Sequence, residues 1–290
     1  MFKGSIVAIV TPFKAGRVDE AAYRELIEFQ IENGTSAIVP CGTTGESATL
    51  SMEEHAHVID ICVYAVKKRV PVIAGSGGNN TQEAIDLTRH AREAGADATL
   101  QVTPYYNKPT QEGLYRHFST IAREVPLPQV LYNVPGRTSV NMLPETIARL
   151  AELPEVVAVK EASGSLSQMA DVLNLAGDRI TLLAGDDNVL LPVLAIGGKG
   201  VVSVVANLIP RDVADVIDAW EQGNPEQARE RFFKIFPLCR AMFYETNPIP
   251  VKTALGLMGR IDGEMRLPLS PMAPANLEKL KQALGAYGLL

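Results

Sequence analysis

Short apolar runs alternate with longer amphipathic segments along most of the chain, and this alternation constrains the fold more than any other feature. Runs that are rich in β-branched residues and apolar at almost every position are typical of parallel strands covered on both faces. We predict eight strands, at Ser5–Val10, Ser36–Pro40, Pro71–Ala74, Ala98–Val102, Gln129–Tyr132, Val156–Lys160, Ile180–Leu183 and Val201–Val204. The segments between them predict helices at Asp19–Glu32, Ser51–Lys68, Thr81–Ala94, Gln111–Glu124, Leu143–Ala151, Leu166–Leu175, Val189–Ile196 and Arg211–Glu221. Eight βα units favour a closed (β/α)8 TIM barrel, because an open doubly wound sheet usually stops at about six strands.

After Gly223 the alternation stops, and only helical patterns follow, at Pro225–Phe243, Pro250–Leu257 and Pro274–Leu284. Proline and glycine mark the loops between these segments. We therefore predict a catalytic barrel over residues 1–223 and a helical extension over residues 224–290. The extension could pack on the barrel, mediate oligomerisation or do both, and the sequence leaves these alternatives open.

Charge and hydropathy argue against two classes of partner. Lys and Arg total 27 against 33 Asp and Glu, and the net charge of −6 leaves no basic surface for nucleic acid. The most apolar region, residues 180–210, is interrupted by Asp186, Asp187 and Lys199, so we expect no membrane span. The first residues are too weakly apolar for a signal peptide, and we expect a cytoplasmic protein.

The cysteine pattern points to a reducing compartment. The three cysteines, Cys41, Cys62 and Cys239, form no C-x-x-C pair. They are too few for a disulfide framework, and their spacing does not predict a zinc site.

If the fold is a barrel, its chemistry lies at the carboxyl ends of the strands. The second predicted strand is followed by the segment GTTGES, residues 42–47. The hydroxyl groups of Thr43 and Thr44 and the free backbone N–H groups of such a turn could bind a carboxylate or another small anion. The alternative is a polar capping turn, since threonine and serine are common there.

A lysine ends the sixth predicted strand. Lys160 follows a uniformly apolar run, and burial at the barrel mouth would favour its neutral, nucleophilic amine. Lys160 is therefore a candidate for Schiff-base formation, against the alternative of a lysine that extends to solvent.

Two further candidates follow the fifth predicted strand. The phenol of Tyr132 could transfer protons, and the guanidinium of Arg137 could bind a carboxylate. Tyr132 could equally be a packed core residue, and Arg137 a surface charge. The pair Tyr105 and Tyr106 after the fourth strand could pack within a loop, form a lid or lie at an interface.

Four motifs carry a resemblance that covers the whole chain. They are GTTGES at 42–47, TPYYNKPTQEGLYRHF at 103–118, LYNVPGRT at 131–138 and VKEASG at 159–164. In this order they resemble the dihydrodipicolinate synthase family. The resemblance implies that a barrel lysine forms a Schiff base with pyruvate, and that the resulting enamine attacks aspartate 4-semialdehyde. This reaction leads toward diaminopimelate and lysine.

The resemblance also implies roles for individual residues. The Schiff base would form at Lys160, and Tyr132 would be the proton donor and acceptor. Tyr132 would work through the hydroxyl of Thr43 to Tyr106, which in the family crosses a tight dimer interface into the neighbouring site. The implied assembly is a homo-oligomer, a tight dimer that pairs into a tetramer.

Substrate binding is implied in the same way. Thr44 would hold the pyruvate carboxylate, the main chain near Val202 would line the same pocket, and Arg137 would receive the carboxylate of the semialdehyde. The family requires no metal and no organic cofactor.

Lysine inhibits some members of the family at the tight dimer interface. The matching residues here are Ser47, Ala48, His55, Asn79, Glu83 and Tyr105. Met52 departs from the pattern, because inhibited members often carry a histidine at this position. We expect inhibition by L-lysine at moderate potency.

Two other functions compete with the synthase. A pyruvate-dependent aldolase or lyase acting on a 2-keto-3-deoxy sugar acid, or on N-acetylneuraminate, would share the threonine turn and Lys160 but usually lacks an arginine at the position of Arg137. Arg137 therefore favours the synthase. A non-catalytic barrel is the other alternative, since fold alone does not give function. The presence of all five of Thr43, Tyr106, Tyr132, Arg137 and Lys160 counts against it.

Overall fold

Eight parallel strands form the centre of the computed structural model, which describes residues 2–290. In chain order they are β1 (Gly4–Ala8), β2 (Ala37–Val39), β3 (Ile73–Gly75), β4 (Ala98–Val102), β5 (Gln129–Asn133), β6 (Val156–Glu161), β7 (Thr181–Ala184) and β8 (Gly200–Ser203). They pair in the order β2-β1-β8-β7-β6-β5-β4-β3, and a parallel bridge from Ile38 to Val72 joins β2 to β3. The predicted (β/α)8 barrel is confirmed.

Side chains of each strand alternate between the barrel interior and the layer below the helices. In β6, Ala158 belongs to a cluster of inward-facing residues, whereas Val159 belongs to the larger cluster that packs against the helices. In β8, Val202 faces inward and Val201 faces outward. This alternation directs Lys160 into the barrel and Glu161 away from it.

Helices cover the outside of the barrel. They are α1 (Glu20–Glu32), α2 (Met52–Val66), α3 (Thr81–Ala94), α4 (Gln111–Glu124), α5 (Pro135–Thr138), α6 (Pro144–Leu150), α7 (Leu166–Ala176), α8 (Leu190–Ala195), α9 (Pro210–Glu221), α10 (Pro225–Ala241), α11 (Ile249–Leu257) and α12 (Pro274–Tyr287). The bounds predicted for α3 and α4 agree with the structure. The four-residue helix α5 and a two-stranded hairpin at Phe13–Val18 were not predicted, because both are too short for a periodic pattern.

Strand ends differ from the prediction by one or two residues, for local reasons. The predicted first strand continues to Val10, but β1 ends at Ala8, and the Val10 N–H donates to the side chain of Asn207 instead of a neighbouring strand. The predicted third strand begins at Pro71, which has no N–H to donate, and β3 begins at Ile73.

The C-terminal helices pack on the barrel. In α10, Phe232, Ile235 and Leu238 are buried in the same hydrophobic cluster as the outward face of the strands. The role of this extension in oligomerisation, and the division of the chain at residue 223, stay predictions. Across residues 2–290, none of the helices has both the length and the apolarity needed to cross a bilayer.

We predict that Gly75→Ala destabilises the fold. Gly75 ends β3, and a methyl group at its Cα would overlap the backbone carbonyl of Cys41, which cannot move without displacing the turn that follows β2. Overpacking of this kind costs about 1–3 kcal/mol, and more where backbone must shift. Chemical denaturation should show this loss. The control is Gly78→Ala, where nothing lies within 4 Å of the added methyl group and stability should be unchanged.

Candidate active site

The candidate residues of several strands meet at the carboxyl edge of the barrel. A cavity of about 620 Å³ opens there, and Thr43, Tyr132, Arg137 and Asn247 are among its lining residues. Parallel strands place all of their carboxyl ends at one edge, which explains why residues far apart in sequence share the cavity.

Lys160 lies beside Tyr132 inside the barrel. The two residues are register partners on β5 and β6, and the Lys160 Nζ lies 4.0 Å from the centre of the Tyr132 ring. Lys160 is 5% exposed and Tyr132 is 6% exposed. The amine therefore lies inside the barrel against the face of an aromatic ring. A buried amine next to a phenol can attack a carbonyl group and exchange protons with it.

The residues next to this pair hold β5 and β6 together on the outward face of the barrel. Asn133 and Glu161 are fully buried register partners on the outward side, and the Asn133 amide donates to the Glu161 carboxylate at 3.0 Å and 3.2 Å. The Ser163 N–H donates to the same carboxylate at 2.7 Å. These hydrogen bonds hold β5 and β6 in register, and therefore set the spacing of Lys160 and Tyr132.

The threonine turn after β2 is held from both sides. Thr44 is 2% exposed, and its Oγ1 accepts a hydrogen bond from Asn247 Nδ2 at 3.0 Å. On the other side, Thr11 Oγ1 donates to the Gly45 carbonyl at 2.7 Å. Thr43 is partly exposed and lines the cavity.

Arg137 lies at the cavity rim on the short helix α5. Its Nη2 donates to the backbone carbonyl of Asn247 at 3.0 Å. Asn247 therefore contacts both Thr44 and Arg137, the two residues expected to bind carboxylates. No local pattern marks Asn247 in the sequence, and its importance depends on a contact 203 residues away.

Two aspartates follow β7, and in the sequence they stand out only as interruptions of an apolar region. Burial raises the pKa of Asp186 above its usual value, and the nearby positive charges of Lys160 and Arg137 oppose that shift. Asp186 is thus an acidic group close enough to Lys160 and Arg137 for their charges to act on it. The rule that strand ends carry barrel chemistry would have identified it.

Asp187 supports the main chain that follows β8. It is 1% exposed, and its Oδ2 accepts hydrogen bonds from the N–H groups of Val204 at 2.9 Å and Val205 at 3.0 Å. Burial raises its pKa, although these hydrogen bonds oppose the shift. Asp187 fixes the backbone just beyond Val202, which is buried and faces the barrel interior.

The two tyrosines after β4 have different environments. Tyr105 lines the cavity, whereas Tyr106 does not and is 91% exposed. The backbone of Tyr106 has φ of 66°, in the left-handed region that non-glycine residues adopt uncommonly. One chain therefore does not bring Tyr106 to Lys160.

The same cavity extends to the residues expected to bind lysine. Five of the six line it, namely Ser47, Ala48, His55, Glu83 and Tyr105, and so does Met52. Asn79 is not among the lining residues in the part of the chain described, and its carbonyl accepts a hydrogen bond from Asn107.

Comparisons with known proteins find chains that are similar over the full length. The dihydrodipicolinate synthetase family model matches residues 1–287. A 4-hydroxy-tetrahydrodipicolinate synthase of Geotalea daltonii is 61% identical over 290 residues, the full length of both chains. The solved structure of a chloride-inhibited dihydrodipicolinate synthase of Acinetobacter baumannii, complexed with pyruvate, is 46% identical, with a TM-score of 0.98 over 100% of both chains. A lysine-bound structure from Cyanidioschyzon merolae is 44% identical, with a TM-score of 0.97 over 100% of this chain and 99% of that one.

We predict an acid-dependent loss of stability from two buried histidines. Burial lowers the pKa of His55 and of His117 from 6.5 to about 4. As the pH falls, the unfolded chain therefore binds protons at these histidines before the folded chain does. The stabilisation that the neutral histidines contribute is complete above about pH 6.5 and is lost as the pH falls toward 4. Between pH 7 and pH 5 each histidine should cost about 2 kcal/mol of unfolding free energy.

Urea unfolding across this pH range tests the prediction. His117→Gln should make the fall in stability between pH 7 and pH 5 about 2 kcal/mol smaller than in the wild type. The control is His57→Gln, because the His57 side chain is 53% exposed. Equal pH slopes for the wild type and His117→Gln would contradict the prediction.

Proposed function

Because this chain belongs to the dihydrodipicolinate synthetase family, we propose that its reaction takes place on Lys160, which lies beside the cavity-lining Tyr132. The reaction is the condensation of pyruvate with L-aspartate 4-semialdehyde to give 4-hydroxy-tetrahydrodipicolinate, the first committed step toward diaminopimelate and lysine. The observation that supports the site most directly is the buried amine of Lys160 against the ring of Tyr132.

The first step joins pyruvate to the enzyme. The neutral Lys160 amine attacks the keto carbon of pyruvate, and Tyr132 donates a proton to the carbinolamine oxygen, which leaves as water. The pyruvate carboxylate binds Thr44 and the main chain near Val202, and Asn247 and Asp187 hold these two elements in place. Loss of a methyl proton from the imine then gives an enamine.

The second step forms the carbon–carbon bond. The enamine carbon attacks the aldehyde carbon of the semialdehyde, whose carboxylate binds Arg137, and the aldehyde oxygen takes up a proton to become the hydroxyl group. The charges of Lys160 and Arg137 act on the Asp186 carboxylate, and we assign this carboxylate to the substrate's ammonium. The ammonium then loses a proton, and the resulting amine attacks the imine carbon and displaces Lys160, which closes the ring and frees the enzyme. The whole reaction releases one water and one proton.

Proton transfer in these steps requires a second copy of the chain. Tyr106 is 91% exposed and has a left-handed backbone, so its ring extends away from its own barrel. We propose that it enters the site of a partner subunit and completes a relay from Tyr132 through Thr43. The functional form is then a homo-oligomer, with a tight dimer as its minimum and a tetramer as its expected form. We place the enzyme in the cytoplasm, where its small polar substrates are soluble.

The competing functions are less well supported. Relatives about 60% identical over the full chain carry the synthase name rather than that of a sugar-acid or N-acetylneuraminate lyase. Arg137 lies at the cavity rim beside Asn247, where it can bind the carboxylate of the semialdehyde.

We predict that pyruvate and sodium borohydride add one reduced pyruvate per chain, and that peptide mapping places it on Lys160. Lys160→Met should give no adduct, whereas Lys199→Met, which removes an exposed lysine at the opposite edge of the barrel, should react like the wild type. Tyr132→Phe should still react but should lower kcat by about 100- to 10,000-fold, the usual contribution of a general acid–base group.

Two results would contradict this proposal. A folded wild-type protein without an adduct would remove the Schiff-base mechanism. An adduct without consumption of aspartate 4-semialdehyde, together with cleavage of a sugar acid, would favour the lyase.

We also propose that L-lysine inhibits the enzyme from the outer part of the cavity. Glu83 can accept hydrogen bonds from an ammonium group, and the Tyr105 hydroxyl can donate to a carboxylate. His55 lines the same part of the cavity, and its buried Nδ1 has no hydrogen-bond partner among residues 2–290. The similar chain from Cyanidioschyzon merolae was solved with lysine bound.

We predict that millimolar L-lysine lowers the initial rate. Met52 offers no hydrogen bond where it lines the cavity, so Met52→His should lower the half-inhibitory concentration, and Glu83→Gln should raise it about 10-fold or more by removing the carboxylate. Neither variant should change kcat without lysine. Unchanged rates at millimolar lysine in all three proteins would contradict the proposal.

A further inference from the structure

A buried ion pair joins the threonine turn to the C-terminal extension, and the proposed mechanism does not use it. Lys252 Nζ donates to Glu46 Oε1 at 2.5 Å, and both side chains are 0% exposed. Glu46 is the last residue of the turn that begins at Thr43, and Lys252 lies on α11. The two residues are 206 positions apart.

Stability alone does not account for this pair. Removing both charges from water is costly, and apolar replacements for buried pairs are often neutral or stabilising. Burial lowers the pKa of Lys252, although the Glu46 carboxylate opposes that shift. The Lys252 Nζ also lies 4.2 Å from the centre of the Phe13 ring, which fixes its position further.

Glu46 is rigidly held within the turn. Its backbone has φ of 54°, and its N–H donates to the Thr43 carbonyl at 3.1 Å. Its second carboxylate oxygen accepts hydrogen bonds from Thr49 Oγ1 and from the Arg266 N–H, each at 3.3 Å. A movement of the Glu46 carboxylate would therefore move the backbone that carries Thr43 and Thr44.

Lys252 shares its segment with Asn247. The Lys252 N–H donates to the carbonyl of Pro248, the residue that follows Asn247. Lys252 therefore lies one helical turn beyond Pro248. Asn247 holds the Thr44 hydroxyl, and Lys252 holds the far end of the same turn through Glu46. Two contacts from one rigid segment determine both the position and the orientation of the turn.

We propose that the buried Glu46–Lys252 pair is a positioning device, which holds the Thr43–Glu46 turn in the orientation that Schiff-base formation with pyruvate requires. This inference rests on the roles proposed above for Thr43, Thr44 and Lys160. It assigns the C-terminal extension an indirect part in catalysis, through the backbone of the turn.

The test separates positioning from stability with Glu46→Gln, Lys252→Met and the double variant that carries both. Each single variant leaves a buried partner without its counterion, so the thermal midpoint and the rate of borohydride-trapped adduct formation should both fall. The double variant has no unpaired charge and should recover most of the thermal midpoint. If the pair positions the turn, the double variant should still form the adduct at least about 10-fold more slowly, with a raised KM for pyruvate.

A control removes a more exposed ion pair between the extension and the barrel, with side chains 38% and 29% exposed. Arg231 on α10 and Asp215 on α9 pair at 2.7 Å away from the turn. Asp215→Asn should leave the trapping rate and the KM for pyruvate unchanged.

If the double variant does not fold, Glu46→Asp tests the positioning role in its place. It keeps the charge but withdraws the carboxylate by one methylene group, and it should slow adduct formation while the protein stays folded at the assay temperature. Wild-type trapping rates in a folded double variant, or in Glu46→Asp, would overturn the positioning role and leave the proposed function intact. A folded wild type that forms no adduct would overturn both.

Discussion

Closure of the parallel barrel is the constraint on which the rest of the molecule depends. Closure sends every second side chain into a narrow interior, and the common strand direction brings the last residues of the strands to one edge. Lys160 and Tyr132 follow from this geometry, because they are register partners and face the same side. In the proposed mechanism the Lys160 amine is the nucleophile, and the barrel geometry places it beside the phenol that would exchange protons with it.

A second set of residues fixes that edge without facing the cavity. Asn133 and Glu161 alternate with Tyr132 and Lys160, so they point outward and hydrogen-bond to each other at 3.0 Å. Asp187 does the same for the backbone beyond β8. Each of these groups is buried and polar. The Glu161 carboxylate and Asp187 Oδ2 accept hydrogen bonds from main-chain or amide donors, whereas Asp187 Oδ1 has no partner among residues 2–290. Because side chains alternate along a strand, adjacent positions provide an inward-facing candidate residue and an outward-facing residue that holds its backbone in place.

The sequence predicts what depends on local pattern. Short segments of distinctive composition predict the number of strands, the position of Lys160 at a strand end and the hydroxyl pair of the threonine turn. The same rule about strand ends applies to Asp186, although in the sequence this residue stands out only as a break in an apolar region. Asn247 and Lys252 were not accessible, since each acts through a partner more than 200 residues away and neither lies in a distinctive motif.

The long-range contacts of Asn247 and Lys252 link the C-terminal segment to the candidate site. A barrel alone would leave Thr44 without the amide of Asn247, and would leave Arg137 without the carbonyl that it contacts at 3.0 Å. Both residues are proposed to bind carboxylates, whose recognition needs donors in fixed directions. The extension therefore packs against the barrel at the point where the anion sites need support. Partner subunits would complete the site from the other side through Tyr106, because that residue extends away from its own chain.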